Sequence, residues 1–346
     1  MGAAGTIAPE KILRELAEMW TALNKDAGGE TDSALRACTL TLITLAEENE
    51  DFGAIGEAIA ALMPQHPART ILVRLQGPGE RQLSNRVYSQ CWRPFGQKRQ
   101  VCCEQVEIVA SDKALSELPA VILPLTVADL PVILWCRSPR AACLPAFPAI
   151  AAMASRVIID GEAFCSQATA GAKSKEQTAQ IAMQRIAAIA TKDTAVGDLA
   201  WTRLTGWRAM LSQIFENRQN LAALPGVTKV TVTAGGEPRV GAWYFAAWVM
   251  DSLADIGVHP DFRMESKAAA SNQDLQSIRL EGPRWSAELS REGERFVATV
   301  NGVSQSSSLG RATDYSMMEE ELRITERDPT FERALVTAQR MTEERK

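Results

Sequence analysis

Two kinds of hydrophobic segment alternate through the first half of the chain. Short, continuous apolar runs are separated by stretches in which apolar residues recur every three or four positions. The apolar runs are ACTLTLITLA, RTILVRL, VILWC and RVIID, VCCEQVEIVAS is a further apolar-rich segment with three polar residues inside it, and the helical spacing occurs in FGAIGEAIAALM and FPAIAAMA. Continuous apolar runs are typical of strands in a sheet that is covered on both faces. Residues 30–170 are therefore predicted to form an α/β domain with a mostly parallel, covered sheet.

A separate helix is predicted within residues 1–29. Pro9 suits the first turn of a helix. Apolar residues then recur at helical spacing at Ile12, Leu16, Met19, Trp20 and Leu23.

Residues 171–346 have a different pattern, which predicts an α+β domain opening with two long helices. The first begins near Ser174 and Gln177, which have capping-box spacing, and the second ends near Pro225. A strand (TKVTVTA) and a helix (VGAWYFAAWVMDSLADIG) follow. The segments FRMES, LQSIRLEG, WSAELS and RFVATV are then predicted strands of an antiparallel meander, with a tight hairpin turn at Asn301–Gly302. Two charged helices close the chain.

Composition narrows the class of protein. The 346 residues are 46% hydrophobic and 23% charged, with a formal net charge of −5. This balance indicates a globular protein and argues against a surface that grips nucleic acid. Prolines and Asp129 interrupt the longest apolar stretch, and the N-terminus lacks the pattern of a signal peptide. We therefore expect a cytoplasmic protein that binds neither nucleic acid nor membrane.

The seven cysteines include no CxxC spacing, and several lie in apolar runs. This pattern predicts free thiols in a reducing compartment. Cys102 and Cys103 are adjacent, so they could form a redox switch. The simpler interpretation puts one thiol in the core and one facing outward, because successive strand residues point to opposite faces.

The chain carries few signals of catalysis. It has two histidines, each before a proline, and neither GxGxxG nor GxxxxGK[ST]. Asp129 precedes the VILWC strand and Asp160 ends the RVIID strand, where an acid can be catalytic. A turn or capping role is favoured for both. The sequence therefore predicts no metal site and no cofactor.

The segment GDLAWTRLTGWRAML is predicted to be helical, and its apolar stripe contains an arginine. Ala200, Leu204, Trp207 and Leu211 share one face, Trp201 lies at its edge, and Arg208 falls inside the stripe. A buried arginine requires hydrogen-bonded partners, whereas tryptophan and arginine are also enriched at binding hot spots. Two interpretations of this segment remain open: a core helix with an internal ion pair, and a partner-binding site.

Four segments together resemble the OpcA family, the glucose-6-phosphate dehydrogenase assembly proteins. They are RQVCCEQVEI, LPLTVADLPVILWCR, ASRVIID and DLAWTRLTGWRAML. Residues that match the family pattern are Asp129, Leu130, Pro131, Trp135, Arg137, Arg156, Asp160, Asp198, Trp201, Thr202, Arg203, Trp207 and Arg208.

The resemblance implies a non-catalytic partner that promotes assembly or activity of glucose-6-phosphate dehydrogenase in the oxidative pentose phosphate pathway. Under this hypothesis Trp201, Arg203, Trp207 and Arg208 form or support the partner contact. Asp129, Trp135, Arg137, Arg156 and Asp160 would give structural or ligand support. The alternative is an enzyme or sensor that binds sugar phosphates or nucleotides through the α/β domain and the basic stretch 93–99. A redox-responsive adaptor, acting through Cys102 or Cys103, is a third hypothesis.

Overall fold

The computed structural model describes residues 7–26, 34–94, 99–167, 175–267, 275–324 and 326–344. The strands in chain order are β1 (Leu35–Arg36), β2 (Leu40–Glu47), β3 (Ala68–Gly77), β4 (Leu83–Trp92), β5 (Val101–Ser111), β6 (Val132–Cys136), β7 (Arg156–Ile159), β8 (Ala195–Asp198), β9 (Lys229–Gly235), β10 (Asp261–Lys267), β11 (Leu275–Gly282), β12 (Trp285–Glu292), β13 (Arg295–Val300) and β14 (Val303–Ser308). The α-helices are α1 (Pro9–Asp26), α2 (Phe52–Leu62), α3 (Leu118–Ile122), α4 (Phe147–Ala151), α5 (Gly161–Gln167), α6 (Lys175–Ile189), α7 (Leu199–Thr202), α8 (Thr205–Ile214), α9 (Arg218–Ala223), α10 (Val240–Ala254), α11 (Asp314–Arg323) and α12 (Pro329–Glu343).

The chain divides into two compact units, each assembled from more than one segment. The first unit contains Met1–Ile159, Ile189–Val196 and Asp314–Arg323. The second contains Asp160–Ala188, Gly197–Thr313 and Ile324–Lys346.

The first unit is built on a sheet with strand order β1-β5-β3-β2-β6-β7-β8, and β4 pairs with β5. The central strand β2 is parallel to both β3 and β6. Its residues from Leu40 to Ala46 are all buried, as an apolar run in a sheet covered on both faces requires. The predicted α/β architecture with a mostly parallel, covered sheet is confirmed.

Three strands of this sheet, β1, β4 and β8, were not predicted, and β4 is the longest of them. The sequence from residue 76 to 100 is polar and has no continuous apolar run, but it contains the ten-residue strand β4. β4 pairs antiparallel with β5 from Leu83 to Trp92. Most residues of β4 are only partly buried. Few of its side chains therefore need to be apolar.

The predicted N-terminal helix is α1, and a buried carboxylate connects it to the sheet. The indole Nε1 of Trp20 donates to Glu104 at 2.5 Å. The same carboxylate pairs with Arg36 at 2.9 Å and with buried Arg69 at 2.6 Å. Glu104 is 2% exposed, so these three donors compensate the cost of burying its charge.

Helix α11 joins the first unit although it lies far along the chain. Glu321 accepts hydrogen bonds from Arg156 at 3.2 and 2.7 Å, and the two side chains are 2% and 4% exposed. At the start of the same helix, Asp314 pairs with Arg137 at 2.6 Å. Two arginines at β7 and after β6 thus hold a helix more than 150 residues away in sequence.

The second unit contains a sheet of order β10-β9-β11-β12-β13-β14. β10 is parallel to β9, and the remaining neighbours are antiparallel. The hairpin turn between β13 and β14 lies at Asn301 and Gly302, whose φ values are 49° and 83°. Both central residues therefore adopt the positive φ of a type I′ turn. The predicted α+β character and antiparallel meander are confirmed.

The prediction that the second long helix is one continuous element is wrong. The segment is divided into α7, α8 and α9. Helix α7 ends at Thr202. There the N–H of Leu204 bonds to the carbonyl of Trp201, three residues earlier, as in a 3₁₀ turn. The chain breaks again at Asn217, whose side chain caps α9 by accepting from Gln219 N–H. The other long helix is α6, and the capping-box residue Ser174 lies outside the described residues.

Among the described residues, no helix combines the length and the apolar character needed to cross a bilayer.

The Arg156–Glu321 pair gives a stability test. We expect Glu321→Ala to lower the free energy of unfolding by about 3–5 kcal/mol, because it removes the carboxylate from a buried arginine. Urea unfolding monitored by tryptophan fluorescence measures this loss. The matched control is Arg323→Ala on the same helix, since Arg323 is 68% exposed in its pair with Glu319 and should contribute about 0–1 kcal/mol. Similar losses in both variants would contradict the role assigned to the buried pair.

Candidate functional site

The segment from Asp198 to Arg208 begins with a buried carboxylate in the second unit. Asp198 is fully buried and caps α7. Its side chain accepts hydrogen bonds from the backbone N–H groups of Gly161 and Ala200, each at 2.8 Å, and from the Tyr244 hydroxyl at 3.0 Å. A Cβ atom at Gly161 would collide with the Asp198 carboxylate. Glycine therefore permits the close approach that this hydrogen bond requires.

Burial changes the protonation of this group. Burial and then the nearby negative charge of Asp160 raise the pKa of Asp198, the three hydrogen bonds oppose the shift, and the net value is about 7. The pKa of Tyr244 is raised well above its ordinary value by burial and then by the Asp198 charge. Asp198 is thus a buried acid whose ionisation falls near neutral pH.

Arg203 and Asp160 form a two-pronged ion pair beside Asp198. Arg203 donates to the two Asp160 oxygens at 2.8 and 2.6 Å. Burial alone would lower the pKa of Arg203, but the Asp160 hydrogen bonds and charge raise it overall. Asp160 also accepts from Glu162 N–H at 3.1 Å, as a helix-capping residue does.

A second arginine–carboxylate pair accompanies the first. The Nε of Arg239 lies 2.7 Å from a Glu162 carboxylate oxygen, and its Nη2 donates to the Glu162 carbonyl at 2.5 Å. The carboxylate also accepts from Gly241 N–H at 2.9 Å. The side chains of Arg203 and Arg239 are 34% and 32% exposed, so both guanidinium groups are partly accessible to solvent.

Trp201 and Arg208 pack against one another. The Arg208 guanidinium carbon lies 3.7 Å from the centre of the Trp201 ring, a cation–π geometry. Trp201 also donates to Asp328 at 3.0 Å and contacts the Phe331 ring at 5.9 Å. Arg208 is half-buried and donates to the Thr205 hydroxyl at 2.8 Å. The arginine in the apolar stripe therefore covers an aromatic face.

Trp207 lies in the core of the second unit. It makes edge-on ring contacts with Phe245 at 5.8 Å and with Phe296 at 4.9 Å. Trp201 and Trp207 are only 3% and 4% exposed. Of the four predicted partner-binding residues, Arg203 and Arg208 have solvent access, and the two tryptophans can only support them from within.

In the first unit, the predicted residues Trp135 and Arg137 lie together. Trp135 is fully buried in β6, and the Arg137 guanidinium lies 4.7 Å from the Trp135 ring centre. Arg137 also pairs with Glu50 at 2.6 Å. Asp129 does not join this group, because it is exposed in the turn before β6 with φ of 63°. Arg156 is occupied by its buried pair with Glu321.

The ion pairs of Arg137 and Arg140 lie where an open α/β sheet usually binds ligands. β2 leads through α2 to β3 on one side, whereas β6 flanks β2 on the other, so the strand order reverses between β2 and β6. The Arg140 guanidinium lies 2.8 Å from Glu47 and 2.6 Å from Asp112. Ser138 donates a short hydrogen bond to Glu47. The hydrogen bonds and negative charges of Glu47 and Asp112 raise the pKa of Arg140.

The loop after β2 also has the wrong charge for a phosphate. In a dinucleotide-binding sheet this loop is glycine-rich and its N–H groups face the pyrophosphate. Here it reads EENED, with carboxylates at Glu47, Glu48, Glu50 and Asp51. Glu50 and Glu47 form ion pairs with Arg137 and Arg140. The other two carboxylates of the loop would repel an anion. Residues 95–98 of the basic stretch in the ligand-binding alternative lie outside the described residues.

Sequence reasoning missed several members of these clusters. Tyr244, Glu162 and Arg239 gave no local signal, because their partners lie far along the chain. Glu47 and Arg140 did have a usable local signal, since each follows a predicted strand within a few residues. Among the described residues, no group of three or more candidate ligand side chains is placed to hold a metal ion.

The cysteines differ from expectation. Cys102 forms a cross-strand disulfide with Cys91, so the prediction that these thiols are free is wrong. Cys102 and Cys103 are both fully buried. The expectation that one faces outward is also wrong, because both faces of the sheet are covered. Burial raises the pKa of Cys103 to about 11, which disfavours a reactive thiolate. A redox role for Cys102 or Cys103 stays a prediction.

Asp198 gives a pH-dependent prediction. An unfolded aspartate ionises near its ordinary value of 3.8, whereas folded Asp198 ionises near 7, so the folded state binds the extra proton between these values. This group therefore stabilises the fold at low pH, and its contribution, of the order of 4 kcal/mol, is lost as pH rises to about 7.

We expect Asp198→Asn to remove this contribution, so that the variant gains stability relative to the wild type between pH 5 and pH 8. Urea unfolding across that range measures it. Tyr244→Phe is the companion variant: it removes a donor to the ionised carboxylate and should move the stability loss to higher pH. A constant difference between wild type and Asp198→Asn at every pH would refute the assignment.

Two family models match the chain. Residues 59–191 match the glucose-6-phosphate dehydrogenase subunit N-terminal domain, and residues 194–335 match the corresponding C-terminal domain. Curated relatives include the putative OxPP cycle protein OpcA of Synechocystis sp. and that of Nostoc punctiforme. Each is 22% identical over 153 residues, or 44% of this chain. The matched region spans 30% of the length of those relatives.

Solved structures with a similar chain path include biliverdin reductase of Synechocystis sp. with biliverdin and NADP⁺. It is 9% identical, covers 88% of this chain and 97% of its own, and has a TM-score of 0.44. The super-repressor mutant of Gal80p from Saccharomyces cerevisiae is 8% identical, with 90% and 95% coverage and a TM-score of 0.47. At these scores the likeness carries no argument about ligand or reaction. The two family models cover most of the chain, and it therefore belongs to the OpcA family of glucose-6-phosphate dehydrogenase subunit proteins.

Proposed function

We propose that this chain is a non-catalytic subunit that binds glucose-6-phosphate dehydrogenase and promotes its assembly or activity. The identity of the partner is supported by the two family models, whose descriptions both name that dehydrogenase. The oxidative pentose phosphate context is supported by the names of the curated relatives. The chain would act in the cytoplasm, as its sequence predicts.

The observation that carries the non-catalytic part is the strand-order reversal between β2 and β6. A nucleotide-dependent enzyme built on such a sheet would place phosphate-binding N–H groups there. This chain instead has an acidic loop, and Arg137 and Arg140 are engaged by Glu50 and Glu47. This arrangement favours a partner-binding role over the alternative of a sugar-phosphate or nucleotide site.

The mechanism would be differential binding. A subunit that binds the active oligomer of the dehydrogenase more tightly than the inactive form shifts the equilibrium by the difference in binding free energy. A coupling of about 1–3 kcal/mol changes the apparent substrate affinity by about 5- to 150-fold.

Arg203 and Arg208 are the proposed contact residues within the Asp198–Arg208 segment. Both are partly accessible, and both are held in place on their buried sides. Asp160 orients Arg203 through two hydrogen bonds, and the Trp201 ring supports Arg208. Preorganised guanidinium groups of this kind lose little conformational entropy when a partner surface packs against them.

The test of the proposed function is NADP⁺ reduction by the dehydrogenase of the same organism, measured across glucose 6-phosphate concentrations with and without this chain. Size-exclusion chromatography of the mixture is run in parallel. A co-eluting complex with a lowered substrate requirement is the expected result. Neither a complex nor a kinetic change at saturating concentrations of this chain would refute the proposal.

Arg208→Ala tests the proposed contact. We expect it to weaken dehydrogenase binding by about tenfold or more, as loss of a hot-spot arginine does. The matched control is Arg263→Ala, which removes an exposed arginine from strand β10. Thermal melting of both variants establishes that the fold is kept. Wild-type binding by a folded Arg208→Ala variant would exclude Arg208 from the contact.

A further inference from the structure

An apolar groove opens on the second unit between α8, α10 and the segment that follows α9. Its volume is about 290 Å³. α8 contributes Leu211 and Phe215, α10 contributes Trp248 and Leu253, and Leu224 and Leu280 complete the apolar lining. None of the functional residues discussed above lines this groove.

The apolar surface continues beyond the groove. Leu221 lies one helical turn before Leu224 and is 54% exposed. Ile256 follows Leu253, to whose carbonyl its N–H bonds, and is 52% exposed. Large apolar side chains are exposed singly on most proteins, but here two extend one apolar groove. A continuous patch of this kind is typical of an interaction site.

One of the residues that line the groove carries a charge. The polar side chains that line the groove are Ser212, Ser252 and Glu216. Ser252 already donates to the Trp248 carbonyl at 2.8 Å. Glu216 is an exposed carboxylate at the edge of the groove. A partner seated in the groove would therefore gain from a positive charge next to its apolar groups.

The dimensions of the groove favour side chains of a protein over a small-molecule ligand. Pockets that enclose small ligands usually measure about 300–1,000 Å³ and bury most of the ligand surface. This groove has a volume at the lower limit of that range, and it is open to solvent beside exposed Leu221 and Ile256. Grooves between helices commonly receive the apolar face of an amphipathic helix, which inserts anchors spaced three or four residues apart.

We propose that this groove is the docking site for an amphipathic helix of the dehydrogenase. That helix presents two apolar anchors one turn apart and a lysine or arginine that pairs with Glu216. The inference rests on the proposed function, and it assigns the main apolar contact to residues other than Arg203 and Arg208.

Filling the groove tests the apolar part. Ser252→Trp adds bulk at an exposed lining position and leaves every core side chain in place. The matched control is Ala254→Trp, which adds the same side chain to an exposed position of α10 outside the groove. Binding of full-length chain to the dehydrogenase is measured by surface plasmon resonance. We expect Ser252→Trp to raise the Kd by about tenfold or more, as loss of a central anchor does, and Ala254→Trp to leave it unchanged.

Reversing the rim charge tests the electrostatic part. We expect Glu216→Lys to slow association and to weaken its salt dependence, as mutation of a rim charge usually does. Gln213→Lys is the control, since it adds a lysine to an exposed position of α8 that is three residues before Glu216 and outside the groove.

Each outcome decides a separate point. If the wild type binds and Ser252→Trp binds equally well, the groove is not the docking site and the proposed function stands. If Ser252→Trp weakens binding but Glu216→Lys behaves as Gln213→Lys, the basic residue is wrong and the apolar docking site stands. If the wild-type chain does not bind the dehydrogenase at all, the proposed function fails and this inference fails with it.

Discussion

Pairing between arginines and carboxylates is the constraint on which both units depend. In the first unit, Arg69 and Arg156 are buried and each requires an acid, which Glu104 and Glu321 supply. A buried charge that lost its partner would destabilise the fold by several kcal/mol. Glu104 thus connects α1 to the sheet, and Glu321 connects α11 to it. The fold of this unit is closed by a few obligatory ion pairs between distant segments.

The same pairing determines what the strand ends can do. Arginines at the carboxyl ends of strands could bind the phosphates of a ligand, but in this chain carboxylates already occupy them. Arg140 is engaged by Glu47, and in the second unit Arg203 is engaged by Asp160. A phosphate would have to displace a carboxylate held by short, charge-assisted hydrogen bonds. The pairs therefore stabilise the fold and orient guanidinium groups, which suits recognition of a protein surface.

The sequence predicted those features that local pattern determines. Apolar runs predicted β2, β3, β5, β6 and β7 of the first sheet, and Asn301–Gly302 predicted the hairpin turn. The polar edge strand β4 was missed because its partly buried residues leave little hydrophobic pattern. The partners in each ion pair could not be predicted, because they are far apart in sequence. Arg203 and Asp160 are 43 residues apart, and Arg156 and Glu321 are 165 residues apart. The sequence showed that Arg208 needed a partner, and only the fold places it on Trp201.

If internal ion pairs occupy the strand ends and the chain acts on a protein partner, the isolated chain should bind neither NADP⁺ nor glucose 6-phosphate. Calorimetric titration with each ligand in turn measures this. We expect no saturable heat up to about 1 mM ligand, a limit that corresponds to a binding free energy weaker than about −4 kcal/mol. Saturable binding of either ligand that Arg140→Ala abolishes would contradict this expectation, because the strand end between β2 and β6 would then be a ligand site.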